Sequence, residues 1–256
     1  MIPFSSTRVE PPYDGRVKLM IDETDITSET KWFYEERAKV VVNNLQKRNI
    51  DAQYVASRTE ALSAVLEMIP EGTKVVRADS VSVDQVGIIP ALKRRNRNEL
   101  VDPFEREADG SLVPEVQTHR WKMWREAFSA DIFLSGTNAV TLDGKLVNID
   151  ATGNRVAPII FGPEKVILII GANKIVKDVS EAIDRIHNIC APINARRHAL
   201  KHHLPELGEL PCARTGRCVD CSHEWRICRA TVIIEGAYAR VKGRIHVVLV
   251  GEELGI

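Results

Sequence analysis

Four cysteines stand within seventeen residues near the C-terminal end of the chain: Cys212, Cys218, Cys221 and Cys228. They read PCARTGRCVDCSHEWRIC, a C-x5-C-x2-C-x6-C array, and the rest of the chain adds only Cys190. Thiols this dense make either a disulfide framework or a metal site, and the compartment decides between them. The opening MIPFSSTRVE has no basic stretch followed by an apolar run. No secretory signal is read there, so a cytoplasmic protein and a metal centre are expected. Zinc ribbons usually present two tight C-x2-C knuckles, and only Cys218 and Cys221 have that spacing. An iron–sulfur cluster accepts irregular loop spacing because it is larger than one ion. A [4Fe–4S] cluster is therefore the first expectation, zinc the second and redox thiols the third. Either metal could also serve only to tie down a long loop. Arg214, Arg217, Arg226 and Arg229 interleave the cysteines, where they would offset thiolate charge or draw an acidic partner. His223 and Trp225 sit inside the loop and are placed to cover the centre.

A second group of polar residues follows apolar runs. After VVRA comes Asp79-Ser80-Val81-Ser82, where Ser80 and free N–H groups at a helix start suit either an anion or an ordinary N-cap. After DIFLSG comes Thr137-Asn138. The stretch Asn148-Ile149-Asp150-Ala151-Thr152-Gly153-Asn154-Arg155 packs acid, amide and guanidinium between two apolar segments. Gly153 permits close backbone approach, and Arg155 offers a planar cation for carboxylate or phosphate. Lys174, after VILIIG, supplies a second cation. Turn chemistry alone explains each strand end singly; three in succession point to a ligand site. Arg155 and Lys174 would hold an anion, with Asn138 and Asp150 orienting it. Other candidates are weaker. His198 and His202 have the i,i+4 spacing of metal ligands, but Arg196, Arg197 and Lys201 beside them favour a solvated face. Trp121 and Trp124 are read as core or interface residues, and Cys190 as a buried hydrophobe.

The elements that must position these residues alternate. A helix is expected around 28–49, with Phe33, Ala38, Val41, Val42 and Leu45 on its apolar face, then a strand AQYVA. Ser57 and Glu60 form a capping box for the helix ALSAVLEMI. The strand TKVVRA precedes a helix from Ser82 through VDQVGIIPALKRR, with a kink expected at Pro90. ELVDPF, DIFLSG, KVILIIG, TVIIEG and RIHVVLVGE read as strands. VQTHRWKMWREAFS, RVAPIIF, SEAIDRIHNICA and NARRHALKHHL read as helices, and Leu142-Asp143-Gly144-Lys145 as a hairpin turn between NAVTL and KLVNID. Strands regularly separated by helices predict an α/β fold, a mainly parallel sheet flanked by helices. Ligands of such sheets gather at the C-terminal strand ends. Residues 1–27 read as an extended arm and 28–256 as one domain that includes the cysteine loop 211–229.

The segment TNAVTLDGKLVNIDATGNRVAPIIFGPEKVILIIGANKIV resembles the lactate-utilisation (LUD) domain family. PCARTGRCVDCSHEWRIC followed by VVLVGEELG resembles its cysteine-bearing subgroup. The resemblance covers roughly residues 30–256 and is most specific over 131–235. It implies a fold similar to ribose-5-phosphate isomerase, glucosamine-6-phosphate deaminase and the CoA transferases. Ser135-Gly136-Thr137-Asn138, Asp150 to Arg155 and Asn173-Lys174 stand where that group carries its acid-rich turn, glycine loop and Ser-Lys. The isomerases' paired acids and glycine-loop lysine have no counterpart here. That argues against a sugar-phosphate isomerase and leaves an anionic ligand.

Composition bounds the remaining choices. In 256 residues, Lys+Arg and Asp+Glu balance at 35 each, so the global basic field of a nucleic-acid binder is missing. The longest apolar run, VILII, is far short of the roughly 20 residues of a membrane span. The expected function is a LUD-type metalloprotein of redox metabolism that binds a small hydroxy or keto acid, with a redox protein as a further partner. One alternative is a non-catalytic electron-transfer or assembly subunit. Another is a CoA-ester or sugar-phosphate enzyme with a structural zinc.

Overall fold

Short runs of Val, Ile and Leu become strands, and the amphipathic stretches between them become helices. The computed structural model describes residues 22–256. Its strands are β1 (Asp51–Val55), β2 (Lys74–Arg77), β3 (Glu99–Val101), β4 (Ile132–Ser135), β5 (Ala139–Thr141), β6 (Leu146–Asp150), β7 (Lys165–Gly171), β8 (Ile175–Val176), β9 (Ala230–Ile234) and β10 (Ile245–Val250). Its helices are α1 (Thr27–Lys47), α2 (Arg58–Glu67), α3 (Val81–Val86), α4 (Ile88–Arg95), α5 (Pro114–Glu126), α6 (Val156–Ile160), α7 (Val179–Arg185), α8 (Ala191–Lys201) and α9 (Pro211–Thr215). Residues 1–21 of the expected arm lie outside the described residues, and the arm's last residue, Thr27, already opens α1.

Six strands form one parallel sheet in the order β1-β10-β7-β4-β2-β3. A parallel sheet is covered on both faces, and the period of two is visible in β7. Val166, Leu168 and Ile170 pack with Ala38, Val41 and Leu45 of α1. Ile167 and Ile169 pack on the other face with Ala61 and Val65 of α2, Val83 of α3 and Leu92 of α4. The remaining strands form a smaller sheet, β8-β5-β6-β9, in which the β5–β6 and β6–β9 pairs are antiparallel. The segment TVIIEG belongs to this second sheet. No helix of the described residues is long and apolar enough to cross a membrane.

The local signals act with some corrections. Ser57 accepts from Glu60 N–H, and the Glu60 carboxylate reaches back to Ala56 N–H at 3.0 Å, closing the cap one residue earlier than a standard box. Pro90 makes no kink. The break falls at Gly87, whose φ of +80° ends α3, and Pro90 sits in the first turn of α4, where its missing N–H costs nothing. The two helices expected over 180–204 are one run, α7 to α8, joined by a π turn at Ile186–Cys190. The wider turn relieves the clash of Pro192 with the carbonyl four residues before it. Phe33 is 48% exposed rather than core, with Arg37 stacked 5.1 Å from its ring centroid.

At the end of β7, a Cβ on Gly171 would meet Leu254 N at 2.4 Å and Glu252 O at 2.9 Å, both backbone atoms. Gly171→Ala is therefore expected to cost about 1–3 kcal/mol, read as a lower urea midpoint. An unchanged midpoint would show that the 252–254 segment yields freely.

Candidate functional site

Ligand positions in a parallel sheet follow from its strand ends, and here those ends enclose a cavity of about 760 Å³. Asp79 and Ser80 enter it after β2, Phe104 and Arg106 after β3, Gly136 to Asn138 after β4, and Lys174 after β7. Ser80, Asn138, Asp150, Asn154, Arg155 and Lys174 all line it. Gly153 does not; with φ of +83° it makes the turn before α6.

Arg155 is less free than its sequence context implies. Its guanidinium donates to Asn138 Oδ1 (2.8 Å), Asn148 Oδ1, Ile149 O (3.0 Å) and Gly136 O (3.3 Å). It clamps the β5–β6 hairpin to the end of β4. Asp150 closes the following turn: its Oδ2 accepts from the Arg155 and Val156 N–H groups, each at 3.1 Å. Asn138 Oδ1 also accepts from Ile149 N–H, and Asn154 Oδ1 from the Thr152 hydroxyl. Ser80 is the N-cap of α3, accepting from Val83 N–H, and is 7% exposed. These residues thus build a rigid wall as well as line it.

Lys174 is 5% exposed and donates to Ser82 Oγ (3.1 Å) and Thr137 O (3.2 Å). Burial pushes its amine down to about 7; the neighbouring Cys190 opposes this, while Arg185 and Arg155 add to it. The amine therefore gains and loses its proton near neutrality instead of staying a fixed cation. From the ordinary value of 10.5, the unfolded chain holds more protons than the native one between pH 7 and 10.5. The contribution of Lys174 to wild-type stability accordingly rises with pH across that window. Lys174→Met removes this dependence. The expected result is a stability difference between variant and wild type that shifts in favour of the wild type from pH 7 to 10. Parallel stability curves would contradict it.

Seven Lys and Arg side chains face the cavity against three carboxylates, Asp79, Asp150 and Glu224. In a chain of zero formal charge, this local excess favours an anion. Asp79 is the most tightly held of the three. Arg197 Nη2 donates to its Oδ2, and His198 Nε2 lies 3.3 Å from the same oxygen. Burial pushes Asp79 up, yet the His198 hydrogen bond and the Arg197 charge win and hold it well below the carboxylate range. His198 Nδ1 in turn meets His202 Nδ1 at 2.7 Å. With Nε2–H of His198 donating to Asp79, its Nδ1 accepts from His202 Nδ1–H, which leaves a lone pair on His202 Nε2. Burial, His198 and the nearby Arg106 and Arg197 push His202 down to about 3.

Asp79, His198 and His202 bring one ligand atom each within 4.8 Å of one another, and among the described residues no other three His, Cys, Asp or Glu side chains do. Of the two Asp79 oxygens, Oδ2 already carries Arg197 and His198. Arg197, Asp79, His198 and His202 thus form one continuous polar chain at the cavity wall. The solvated face expected for His198 and His202 is corrected: α8 turns them inward because Ala191 and Ala195 of the same face are buried.

The cysteine loop folds over the same cavity. Register forces it there: β9 pairs antiparallel with β6, setting Ala230 opposite Asp150, and Arg229 N–H donates to Asp150 O at 3.0 Å. Cys228 lines the cavity, and all four cysteines line a small pocket directly behind it. None is in a disulfide. Arg226 ties the loop by donating to the Cys221 and Cys228 carbonyls and pairing with Asp220 at 2.8 Å. Asp220 N–H donates to Cys218 Sγ at 3.4 Å. Burial raises Cys228 to about 11 despite Arg226, and burial also raises Cys212. Trp225 turns toward the cavity instead of the cysteine pocket, and His223 lines neither. Cys190 is buried, as expected, and accepts from Arg185 at 2.7 Å.

Arg106 and Arg120 line the cavity without a signal in the sequence, and Trp124, expected in core or interface, and Arg197, expected on a solvated face, line it too. Trp124 is a wall residue, while its neighbour Trp121 is 64% exposed. Arg197 carried a readable signal, one helical turn from Asn194, which also lines the cavity. Arg106 carried none, because it sits on an irregular segment after β3.

Among solved structures, the chain is similar to a DUF162 family protein from Deinococcus radiodurans, at 13% identity. The match covers 85% of this chain and 98% of that one, with a TM-score of 0.44. It is also similar to eIF2B beta from Chaetomium thermophilum, at 12% identity over 49% of this chain and 44% of that one, with a TM-score of 0.32. No curated protein sequence matches the chain. The LUD domain family profile matches residues 38–250, a span that holds the cysteine loop and every cavity-lining residue but Gly255 and Ile256, and the chain belongs to the LUD domain family.

Proposed function

We propose that this LUD domain protein binds a small hydroxy or keto acid in the cationic cavity and carries an iron–sulfur cluster on Cys212, Cys218, Cys221 and Cys228, in a role related to lactate utilisation. The observation that carries the reading is the position of Cys228, which lines the cavity and the cysteine pocket at once. The donor set suits iron and sulfide: four soft thiols with few hard ligands among them. The irregular C-x5-C-x2-C-x6-C spacing suits a larger centre better than the paired C-x2-C knuckles of a zinc ribbon. When bound, such a cluster supplies one-electron transfer.

The chain's own residues supply the rest. Lys174 and the positive lining attract the carboxylate, and Asn138 and Asp150 keep Arg155 in place behind it. Lys174, with its lowered affinity for a proton, can take one from a bound hydroxyl or return it. Anaerobic purification with iron and sulfide analysis and a visible spectrum tests the cluster. Calorimetric titration with lactate and pyruvate tests the cavity. Stoichiometric zinc, or no binding of either acid, would refute the corresponding half.

The exposed Arg214 and Arg217 on the loop support the second reading, a non-catalytic electron-transfer subunit that docks an acidic partner. Binding of the acids without turnover would favour it.

A further inference from the structure

A three-carbon acid spans roughly 5 Å at bond lengths near 1.5 Å. The cavity is much longer. Its lining runs from Lys174, after β7, to Arg106, after β3. Between β7 and β3 the sheet order passes β4 and β2, so three inter-strand spacings separate the ends, roughly 14 Å in all. Something other than a hydroxy acid must account for the β3 end.

Two guanidinium groups stand there. Arg120 Nε donates to Pro103 O at 3.0 Å, and its Cζ lies 5.0 Å from the ring centroids of both Phe104 and Trp124. Its two terminal amino groups make no hydrogen bond among the described residues. Arg106 donates once, to Gly110 O at 2.6 Å. Neither forms an ion pair among the described residues, and the nearby carboxylate, Asp79, is occupied by Arg197 and His198. Burial weakens both guanidinium groups as cations, Arg106 adds to the effect on Arg120, and the Asp79 charge opposes it at both. Two cations are thus held together, one of them fixed by aromatic stacking, with open donors facing a cavity. Like charges packed this way cost free energy unless an anion comes between them.

We propose that Arg106 and Arg120 form a second anion subsite at the β3 end of the cavity, which takes the phosphate or diphosphate group of an elongated ligand. Two forked donors offer more hydrogen bonds than one carboxylate can accept and match the several oxygens of a phosphate. The proposal deepens the reading of the same cavity and rests on it only for the opposite end, where a carboxylate would sit near Lys174. The ligand is then a phosphorylated acid long enough to reach both ends.

Calorimetric titration of the full chain with inorganic pyrophosphate, alone and after saturation with pyruvate, tests this. One equivalent of pyrophosphate should bind, and pyruvate should leave its affinity nearly unchanged. Arg106→Gln lies outside the core clusters and should weaken pyrophosphate about tenfold or more without moving the unfolding midpoint. Arg120→Lys keeps the charge and loses the fork, and should weaken it several-fold. No pyrophosphate binding, equal affinity in wild type and both variants, or full competition by pyruvate would each overturn the subsite. If pyruvate alone fails to bind, the reading of the Lys174 end falls, and the pyrophosphate arm still decides the proposal.

Discussion

Cys218→Ser is expected to empty the metal centre: iron and acid-labile sulfide fall to background, and the visible absorption disappears. Cys218 is the first half of the one tight C-x2-C pair, and its sulfur already accepts a backbone N–H from Asp220. Serine oxygen is a harder and poorer ligand for iron. The loss should extend beyond the metal. The loop from α9 to β9 is held to α8 by a small cluster, in which Cys212, Ala213 and Ile227 pack on Ala195, Leu207 and Leu210. Metal binding in such loops is folding free energy, about 10 kcal/mol or more for structural zinc. Proteolysis of the wild type should therefore spare the loop and proteolysis of the variant should cut it. A variant that keeps its iron would sink the four-cysteine centre.

Arg155→Met should be the most damaging single change in the cavity wall. It removes the donor to four acceptors, Asn138, Asn148, Ile149 and Gly136, in a partly buried place. A loss of about 3 kcal/mol is expected, seen as a drop in urea midpoint. Binding of pyruvate should weaken about tenfold or more as the hairpin loosens. Arg155→Lys restores the charge without the fork. It should recover little of the stability if the clamp matters, and much of the binding if charge alone does. Unchanged stability in both variants would show that the hydrogen bonds are redundant.

Much of this architecture was legible because its strands are short, apolar and bounded by turn residues. VILII could be little else than a strand buried on both faces. The Ser57–Glu60 cap and the Asp143-Gly144 turn are local chemistry, so they survive any tertiary context. The misreadings have a common origin in competition between signals. Pro90 is a stronger helix breaker than Gly87, but its place in a first turn removes its penalty, and sequence spacing alone cannot say which turn it occupies. His198 and His202 follow two arginines, and charge usually means solvent; the burial of Ala191 and Ala195 on that face is a tertiary fact. Arg106 and Arg120 reach the cavity only because β3 is the sheet edge beside β2. Strand order is not written in chain order. By contrast, the polar strand ends at Asn138, Arg155 and Lys174 could be gathered in advance, since a parallel sheet aims all its C-terminal ends one way.

The place of β10 in the sheet sets the order in which this protein can assemble. It is the last strand in the chain and lies between β1 and β7, so Asp51 waits for His246 across nearly the whole sequence. Until β10 arrives, β1 has no partner in the sheet and β7 presents an open edge. Contacts this distant in sequence slow folding, and bare strand edges invite pairing with other chains. During synthesis β1 stays apart from β7, β4, β2 and β3 until residues 245–250 have been made. A chain stalled or cut before residue 245 would then be an aggregation hazard, even with every cavity residue up to the cysteine loop already made.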